Sequence, residues 1–297
     1  MKTMWCLGSM NTNIFFQFFD CQVKPMLLYA SEIWGLSKVE CIEAAHLFAL
    51  KRLLSVSDKT PNTMVYGETG RYALYVDSTL SVIRYWLKLL KMADSRLPKQ
   101  CYIHMKSVME RRQNHFVKPW SQKVKECLCK YGFEDVWNNQ CVTNEKEFLK
   151  VLKTKLIEEF KIKWYQKLSE SDRFSFYRSF KRSFFQEEHL NNITLKKFRD
   201  TVTRFRLGVN EIGVNNRFTG NQQNKDCPFC PSRLEDENHI IFCCPMYQSL
   251  RSKYLSDVIK PYHTEVYQII NLKCIDTQRK LGMFLYYCLK KREEMQN

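Results

Sequence analysis

Four residues near the C-terminus have the types and the spacing of a metal site. Cys227, Cys230, His239 and Cys244 follow the order C-x2-C-x8-H-x4-C. Three thiolates and one imidazole can surround Zn²⁺ tetrahedrally and leave no coordination position open for water. A closed shell of this kind holds a chain together and does not activate a nucleophile. The spacing therefore predicts a structural zinc knuckle, with Zn²⁺ as the cofactor.

The second half of this motif leaves a choice of ligand. His239 stands about one helical turn before both Cys243 and Cys244, and either thiol could be the fourth ligand. We prefer Cys244, because its spacing leaves room for the apolar residues between to pack, and we expect Cys243 to be a buried spare thiol. Thiol exchange is the alternative chemistry for a CxxC pair, but that chemistry belongs in a βαβ setting that the sequence does not indicate.

The charge of the chain indicates a polyanionic partner. Lysine and arginine number 47 against 31 acidic residues, a net charge of +16. Residues 84–130 hold 12 basic and 3 acidic side chains, and residues 150–206 hold 15 and 7. Both stretches are rich in aromatic residues, which can stack on unpaired bases while cations neutralise phosphates. We expect sequence-tolerant binding of RNA or DNA, and the candidate contacts are Arg84, Lys88, Arg111, Arg112, Lys181, Arg182, Arg204 and Arg206.

The scarcity of chain breakers predicts a mainly α fold, a multi-helix basic array that ends in the small knuckle. Only 9 glycines and 8 prolines occur in 297 residues, and most segments have helical periodicity. Pro61, Gly67 and Gly70 indicate a loop over residues 60–70. The expected helices cover residues 14–34, 39–54, 78–92, 121–131, 145–168, 171–185, 195–206, 246–258 and 277–294. Pro25 lies inside the first of these and predicts either a kink or a helix start near it.

Two features bear on location. The most apolar stretches are interrupted by polar residues or are too short to span a bilayer, so we expect no membrane segment. Thirteen cysteines without a recognisable secretory leader indicate a reducing compartment, the cytoplasm or the nucleus.

Four blocks of sequence carry a resemblance to a known family. Residues 227–247, with the Cys/His motif, resemble the C-terminal zinc knuckle of reverse transcriptases from non-LTR (LINE, jockey-like) retrotransposons. Residues 23–35 are similar to the thumb of those proteins, and residues 60–72 and 203–207 are similar to stretches between thumb and knuckle. The family usually has Gly where this chain has Ala30.

This resemblance implies an organisation and a function. The implied parts are a thumb-like helical segment (1–75), a basic helical region (76–207), a linker with the knuckle (208–258) and a C-terminal helix (259–297). The family's polymerase palm carries an Asp-Asp motif, and this sequence has no Asp-Asp pair. The resemblance thus implies a non-catalytic fragment without a complete palm, which grips template RNA and target DNA. A palm encoded separately is a candidate partner.

An interaction protein is the alternative function. In that interpretation the helices form a scaffold, the knuckle contacts proteins and the charge serves solubility. An enzyme is a third interpretation, but adjacent carboxylates such as Glu158 and Glu159 diverge on a helix and form no catalytic pair.

Overall fold

A computed structural model describes residues 11–37, 40–111, 118–210, 212, 226–231 and 233–296, except the side chains of residues 110, 111 and 296. Helices make up most of these residues. Extended pairing within the described ranges is limited to two isolated bridges, Thr69 with Gln186 and Asp226 with Leu234. The predicted mainly α fold is confirmed.

The described residues form a series of α-helices. In chain order they are α1 (Thr12–Phe18), α2 (Lys24–Leu27), α3 (Ser31–Trp34), α4 (Glu40–Leu53), α5 (Asn62–Thr69), α6 (Tyr75–Lys91), α7 (Leu97–Arg111), α8 (Trp120–Lys130), α9 (Glu134–Asn139), α10 (Glu145–Ser169), α11 (Ser175–Phe180), α12 (His189–Asn192), α13 (Lys196–Arg206), α14 (Gln248–Tyr254), α15 (Val266–Ile270) and α16 (Ile275–Gln296).

The loop expected over residues 60–70 is wrong, because α5 occupies this stretch. Pro61 directly precedes the first turn, where its missing N–H removes no helical hydrogen bond. Gly70 ends the helix in the left-handed region, with φ of 64°. Gly67 lies inside the helix, where a Cβ would come within 2.5 Å of the Tyr177 hydroxyl. Both glycines therefore serve a buried helix instead of a flexible connection.

Residues 14–34 are helical with interruptions, and a helix begins next to Pro25, which is one of the two effects predicted for that proline. A π-helical turn, Phe19–Val23, separates α1 from α2, and Pro25 stands in the first turn of α2. Ala30 then adopts a left-handed conformation with φ of 54°, which ends the helical path before α3 begins. A side chain with a Cβ is strained in that region, where glycine is the usual residue.

The chain divides into two compact units that do not follow chain order. The first unit comprises Met1–Phe19, Leu47–Arg71 and Trp164–Asn297, and the second comprises Asp20–His46 and Tyr72–Lys163, each in its described part. These units do not coincide with the four consecutive segments predicted from the sequence. Among the described helices, none has the length and the apolar surface that crossing a bilayer requires.

The core of the second unit is built on aromatic residues of α6, α7 and α9. Trp86 stacks on Trp137 with ring centroids 6.0 Å apart, and its indole N–H donates to the Tyr102 hydroxyl at 3.0 Å. Apolar side chains of α6, α8 and α10 complete this core. Because the Trp86 N–H and the Tyr102 hydroxyl are hydrogen-bonded to each other, burying these two rings costs little free energy.

In the first unit, α13 packs on α16, and α5 is buried against neighbouring aromatic residues. Gly282 allows the close approach of α16, since a Cβ there would lie 3.1 Å from that of Phe198. The Trp164 indole donates to the Thr63 carbonyl at 2.7 Å and fixes the first turn of α5. α16 also contacts the segment that contains the four predicted metal ligands.

Candidate metal centre

The four residues predicted to bind metal lie together in the structure. The ligand atoms of Cys227, Cys230, His239 and Cys244, here called the metal cluster, are within 4.8 Å of one another, and all four residues are buried. Cys244 Sγ lies 4.0 Å from Cys227 Sγ and 3.8 Å from Cys230 Sγ. A tetrahedral ion with metal–sulfur bonds of about 2.3 Å requires a separation of about 3.8 Å between sulfurs.

The imidazole of His239 provides a second test of fit. Its Nε2 atom is buried and has no hydrogen-bond partner among the described residues. A buried polar atom left unpaired is costly, and coordination of a metal ion would remove that cost. The donor set and the spacing therefore fit a four-coordinate metal site.

A tight turn holds the first two ligands. The Cys230 amide donates to the Cys227 carbonyl at 3.3 Å, and the Arg233 amide donates to the Cys230 carbonyl at 3.2 Å. The Cys227 amide donates in turn to the Arg233 carbonyl at 2.6 Å. These backbone bonds close the loop and direct both sulfurs towards one point.

A π-helical turn, His239–Cys243, brings the last two ligands together. The Cys244 amide donates to the His239 carbonyl at 2.7 Å, five residues back. In an α-helix, residues five apart would point about 140° away from each other, whereas the wider turn places them on the same side. The preference for Cys244 as fourth ligand agrees with this geometry. Cys243 is exposed, so the expectation of a buried spare thiol is wrong.

Arg251 on α14 supports the turn and was not predicted. Its Nε atom donates to the Ile241 carbonyl at 2.7 Å, and Nη2 donates to the carbonyls of Cys244 at 3.1 Å and Ile240 at 3.4 Å. The planar guanidinium suits this arrangement, because it offers several donors in fixed directions. In the sequence, Arg251 is one of many basic residues, and no spacing distinguishes it.

The C-terminal helix also braces the metal cluster. Arg292 on α16 forms a two-point ion pair with Glu235, with nitrogen–oxygen distances of 2.6 and 2.9 Å. Lys291 donates to the Met246 carbonyl at 2.9 Å. The helix, to which the sequence assigned no role, thus contacts this segment at Glu235, between the two pairs of ligands, and at Met246, just after the last ligand.

Burial favours the neutral forms of Cys227, His239 and Cys244 when no cation is present. It raises the pKa of the Cys244 thiol to about 12, raises the pKa of Cys227 and lowers the pKa of His239. The imidazole is therefore ready to coordinate, and the thiols must release protons to a metal that binds.

Four of the predicted phosphate contacts are exposed. Arg84 and Lys88 lie one turn apart on α6, and neither pairs with a carboxylate among the described residues. Arg182 is exposed, as is Arg204, whose Nε donates to the Ser55 carbonyl at 2.9 Å. Arg112 and the side chain of Arg111 lie outside the described residues.

Two other predicted contacts, Lys181 and Arg206, are buried and paired. Each is 2% exposed. Arg206 lies 3.0 Å from a Glu68 oxygen and 2.7 Å from a Glu187 oxygen, and Lys181 lies 2.5 Å from the other Glu187 oxygen. The expectation that they contact phosphates is therefore not supported, because carboxylates already neutralise both cations inside the protein.

Comparison of the chain with protein-family models, with curated proteins and with solved structures gives no match. The functional interpretation consequently depends on the residues and distances described above. The metal cluster and the exposed cations are the two features that such an interpretation must explain.

Proposed function

We propose that this chain is a non-catalytic nucleic-acid-binding protein whose C-terminal part is held by structural Zn²⁺. Zinc suits the metal cluster because it accepts thiolate and imidazole ligands in tetrahedral geometry. Magnesium and calcium instead require oxygen ligands. When bound, zinc would cross-link the two turns and would offer no open position for a reacting molecule.

The observation that carries the nucleic-acid part is the set of exposed cations without carboxylate partners. Arg84 and Lys88 project from one face of α6, and Val82 and Trp86 on the opposite face are buried. Several other cations are balanced on the surface, among them Lys118, which lies 2.8 Å from Glu126. Unbalanced cations on a chain of charge +16 attract phosphates through the release of counterions.

The proposal includes descent from the non-LTR retrotransposon reverse transcriptases that the sequence resembles. Ala30 gives physical support to this part, because its backbone is left-handed at the position where the family usually has glycine. Gly67 and Gly70, in a second resembling block, have close backbone or side-chain neighbours that exclude a Cβ. In the intact family this region grips RNA and DNA, and we propose the same role here.

Fluorescence anisotropy with mixed-sequence single-stranded RNA and DNA tests the proposal. We expect binding that weakens steeply between about 50 and 200 mM salt. The variant Arg84→Gln/Lys88→Gln should reduce the slope of log affinity against log salt by about 1.4, since each phosphate contact on a single strand contributes about 0.7.

The matched control is Lys118→Gln/Lys280→Gln. It makes the same change in net charge, but Lys118 lies 2.8 Å from Glu126, and Lys280 lies 2.6 Å from Asp257 and 2.8 Å from Asp276. Its salt slope should stay near that of the unmodified protein. Absence of salt-sensitive binding to either nucleic acid would contradict the proposed function.

A protein-contact role is the second candidate, and one observation favours it. Met26, Tyr29 and Ile33 in the second unit are 74%, 82% and 58% exposed. Neighbouring exposed apolar side chains often mark contact surfaces. Sedimentation velocity of the unmodified chain and of Met26→Ser/Tyr29→Ser would test self-association: a concentration-dependent dimer lost in the variant would favour this candidate.

A further inference from the structure

Two cavities in the first unit adjoin each other at Arg182. One has a volume of about 430 Å³ and is lined by Tyr165, near the end of α10, and by Arg178 of α11. The other has a volume of about 280 Å³ and is lined by Phe185. Arg182 borders both, so each cavity has one exposed aromatic residue and the two share a cation.

Both aromatic rings are exposed and are fixed in position. Tyr165 is 42% exposed and Phe185 is 44% exposed. The Tyr165 hydroxyl donates to the Arg182 carbonyl at 3.3 Å, which holds this ring beside the shared cation. Lys181 Nζ lies 4.0 Å from the centroid of the Phe185 ring, so the exposed surface of that ring lies away from the ammonium group.

The segment that carries Arg182 and Phe185 is anchored by buried contacts. The Nζ atom of the buried Lys181 donates to the Phe185 carbonyl at 2.7 Å. Gly70 allows a close approach of the end of α5, since a Cβ there would lie 2.3 Å from the Gln186 amide nitrogen. Because the segment is ordered by these contacts, little conformational entropy would be lost when a ligand binds to it.

The charges of the larger cavity suit an anionic ligand. Among its described lining residues, Arg178, Lys181 and Arg182 are cations and none is a carboxylate. Arg178 donates to the last carbonyls of α10 at 3.0 and 3.2 Å, and Lys181 is paired with Glu187. Arg182 is exposed and has no carboxylate partner in the described part of the chain. It is therefore the cation available to neutralise a phosphate.

The carboxylates of the smaller cavity do not cancel the charge of Arg182. Glu187 is paired with the buried Lys181 and Arg206. Glu188 lies 3.8 Å from Lys273, which lines the same cavity. Each carboxylate thus has a cation of its own.

We infer that Tyr165 and Phe185 each stack on one unpaired base of a single strand, while Arg182 binds a phosphate of that strand. The inference rests on the proposed function and assigns a stacking subsite to it. Bases of a duplex stack on one another, so their faces are not open to these rings. Every base has a face, and the subsite therefore selects unpaired strands without selecting a sequence.

The test measures the affinity of ring variants for a mixed-sequence single strand and for a duplex of equal length. Tyr165→Leu and Phe185→Leu should each weaken binding of the single strand about tenfold, which is within the range for the loss of one stacked base. Both variants should leave the affinity for the duplex unchanged. Their salt slopes should also be unchanged, because an uncharged ring releases no counterions.

Tyr165→Phe and Tyr262→Leu are the matched controls. Tyr165→Phe keeps the ring but loses the hydrogen bond to the Arg182 carbonyl, and it should bind the single strand like the unmodified protein. Tyr262 is 71% exposed in the same unit and lines neither cavity, so Tyr262→Leu should also have no effect. A loss in Tyr165→Phe as large as that in Tyr165→Leu would overturn the inference, because the hydroxyl and not the ring would then be responsible.

Arg182→Gln tests the phosphate contact. It should lower the salt slope for the single strand by about 0.7. Ring variants that bind the single strand like the unmodified protein, or that weaken single strand and duplex equally, would overturn the inference and leave the proposed function intact.

Self-association is the competing explanation of the exposed rings. A concentration-dependent dimer in sedimentation velocity that Tyr165→Leu and Phe185→Leu abolish would overturn the inference, because the rings would then contact a second copy of the chain. No salt-sensitive binding to either nucleic acid would remove the proposed function itself.

Discussion

Two buried polar clusters in the first unit differ in how their polar atoms are satisfied. In the buried ion-pair cluster (Glu68, Lys181, Glu187 and Arg206), two carboxylates balance two cations through direct contacts. In the metal cluster, three thiols surround an imidazole whose Nε2 has no partner among the described residues. The first arrangement is complete within the protein, and the second needs a cation. A structural contact differs from a ligand site in whether its buried polar atoms have partners within the protein, more than in how deeply they are buried.

Removal of the metal should have the largest effect, and it should affect the metal cluster but not the ion-pair cluster. A strong zinc chelator should greatly increase hydrogen exchange in the turn that carries His239 and Cys244. Structural zinc supplies about 10–16 kcal/mol of apparent binding free energy in isolated fingers, which the turn would lose. Amides of α5, which carries Glu68, should keep their protection at early times. An equal loss of protection from hydrogen exchange in this turn and in α5 would contradict the difference between the two clusters.

The next effect concerns the ion-pair cluster. Glu68→Gln leaves the buried Arg206 facing fewer negative charges and should lower the free energy of unfolding by about 3–5 kcal/mol. Glu68→Leu/Arg206→Leu removes both charges and leaves Lys181 paired with Glu187, so it should cost less than the single change. Urea denaturation measures both. If Glu68→Gln were as stable as the unmodified protein, the Glu68–Arg206 ion pair would not be needed to balance the buried charge of Arg206.

A smaller effect concerns the support of the metal cluster. Arg251→Ala removes three hydrogen bonds to turn carbonyls and should weaken zinc affinity about 10- to 100-fold. Arg251→Lys keeps the charge but not the planar set of donors, and most of the loss should remain. Competition with a chromophoric chelator gives the affinities. If Arg251→Lys bound zinc as tightly as the unmodified protein, the positive charge alone would support the turn.

The smallest effect comes from an ion network in the second unit that is partly exposed. Burial acts to raise the pKa of Glu159, but hydrogen bonds from Lys130, Lys163 and Tyr131 lower it to about 2. Because the folded-state pKa lies below the unfolded value, the stabilisation is present above about pH 4.5 and is lost as pH falls towards 2.

Thermal unfolding across this acid range tests the network. Glu159→Gln should flatten the dependence of Tm on pH between about 4.5 and 2, whereas Glu158→Gln, at an exposed neighbour, should not. An unchanged pH dependence in Glu159→Gln would contradict the assignment. The expected stabilisation is modest beside that of a fully buried pair, because solvent screens this network.

The metal ligands could be predicted from the sequence because they are close along the chain. Cys227 and Cys244 are 17 residues apart, and short turns fix how such ligands approach. The exposure of Cys243 could not be predicted in this way, because a π-helical turn directs its side chain differently from an α-helical one. Local spacing thus identified the ligand set but not the geometry around it.

The ion-pair cluster was beyond sequence reasoning for the opposite reason. Glu68 and Arg206 are 138 residues apart, and nothing local distinguishes Arg206 from the exposed Arg204. The buried helix α5 was mistaken for a loop because proline and glycine are also turn residues, and only tertiary packing shows their role at its ends and in its interior. Contacts distant in sequence decided both cases.

Metal content measured by mass spectrometry on Cys244→Ser and Cys243→Ser tests the central claim most directly. The two variants make the same chemical change at adjacent residues, one in the metal cluster and one exposed. We predict about one zinc per chain in the unmodified protein and in Cys243→Ser, and far less in Cys244→Ser. Equal zinc in both variants, or none in the unmodified protein, would contradict the account.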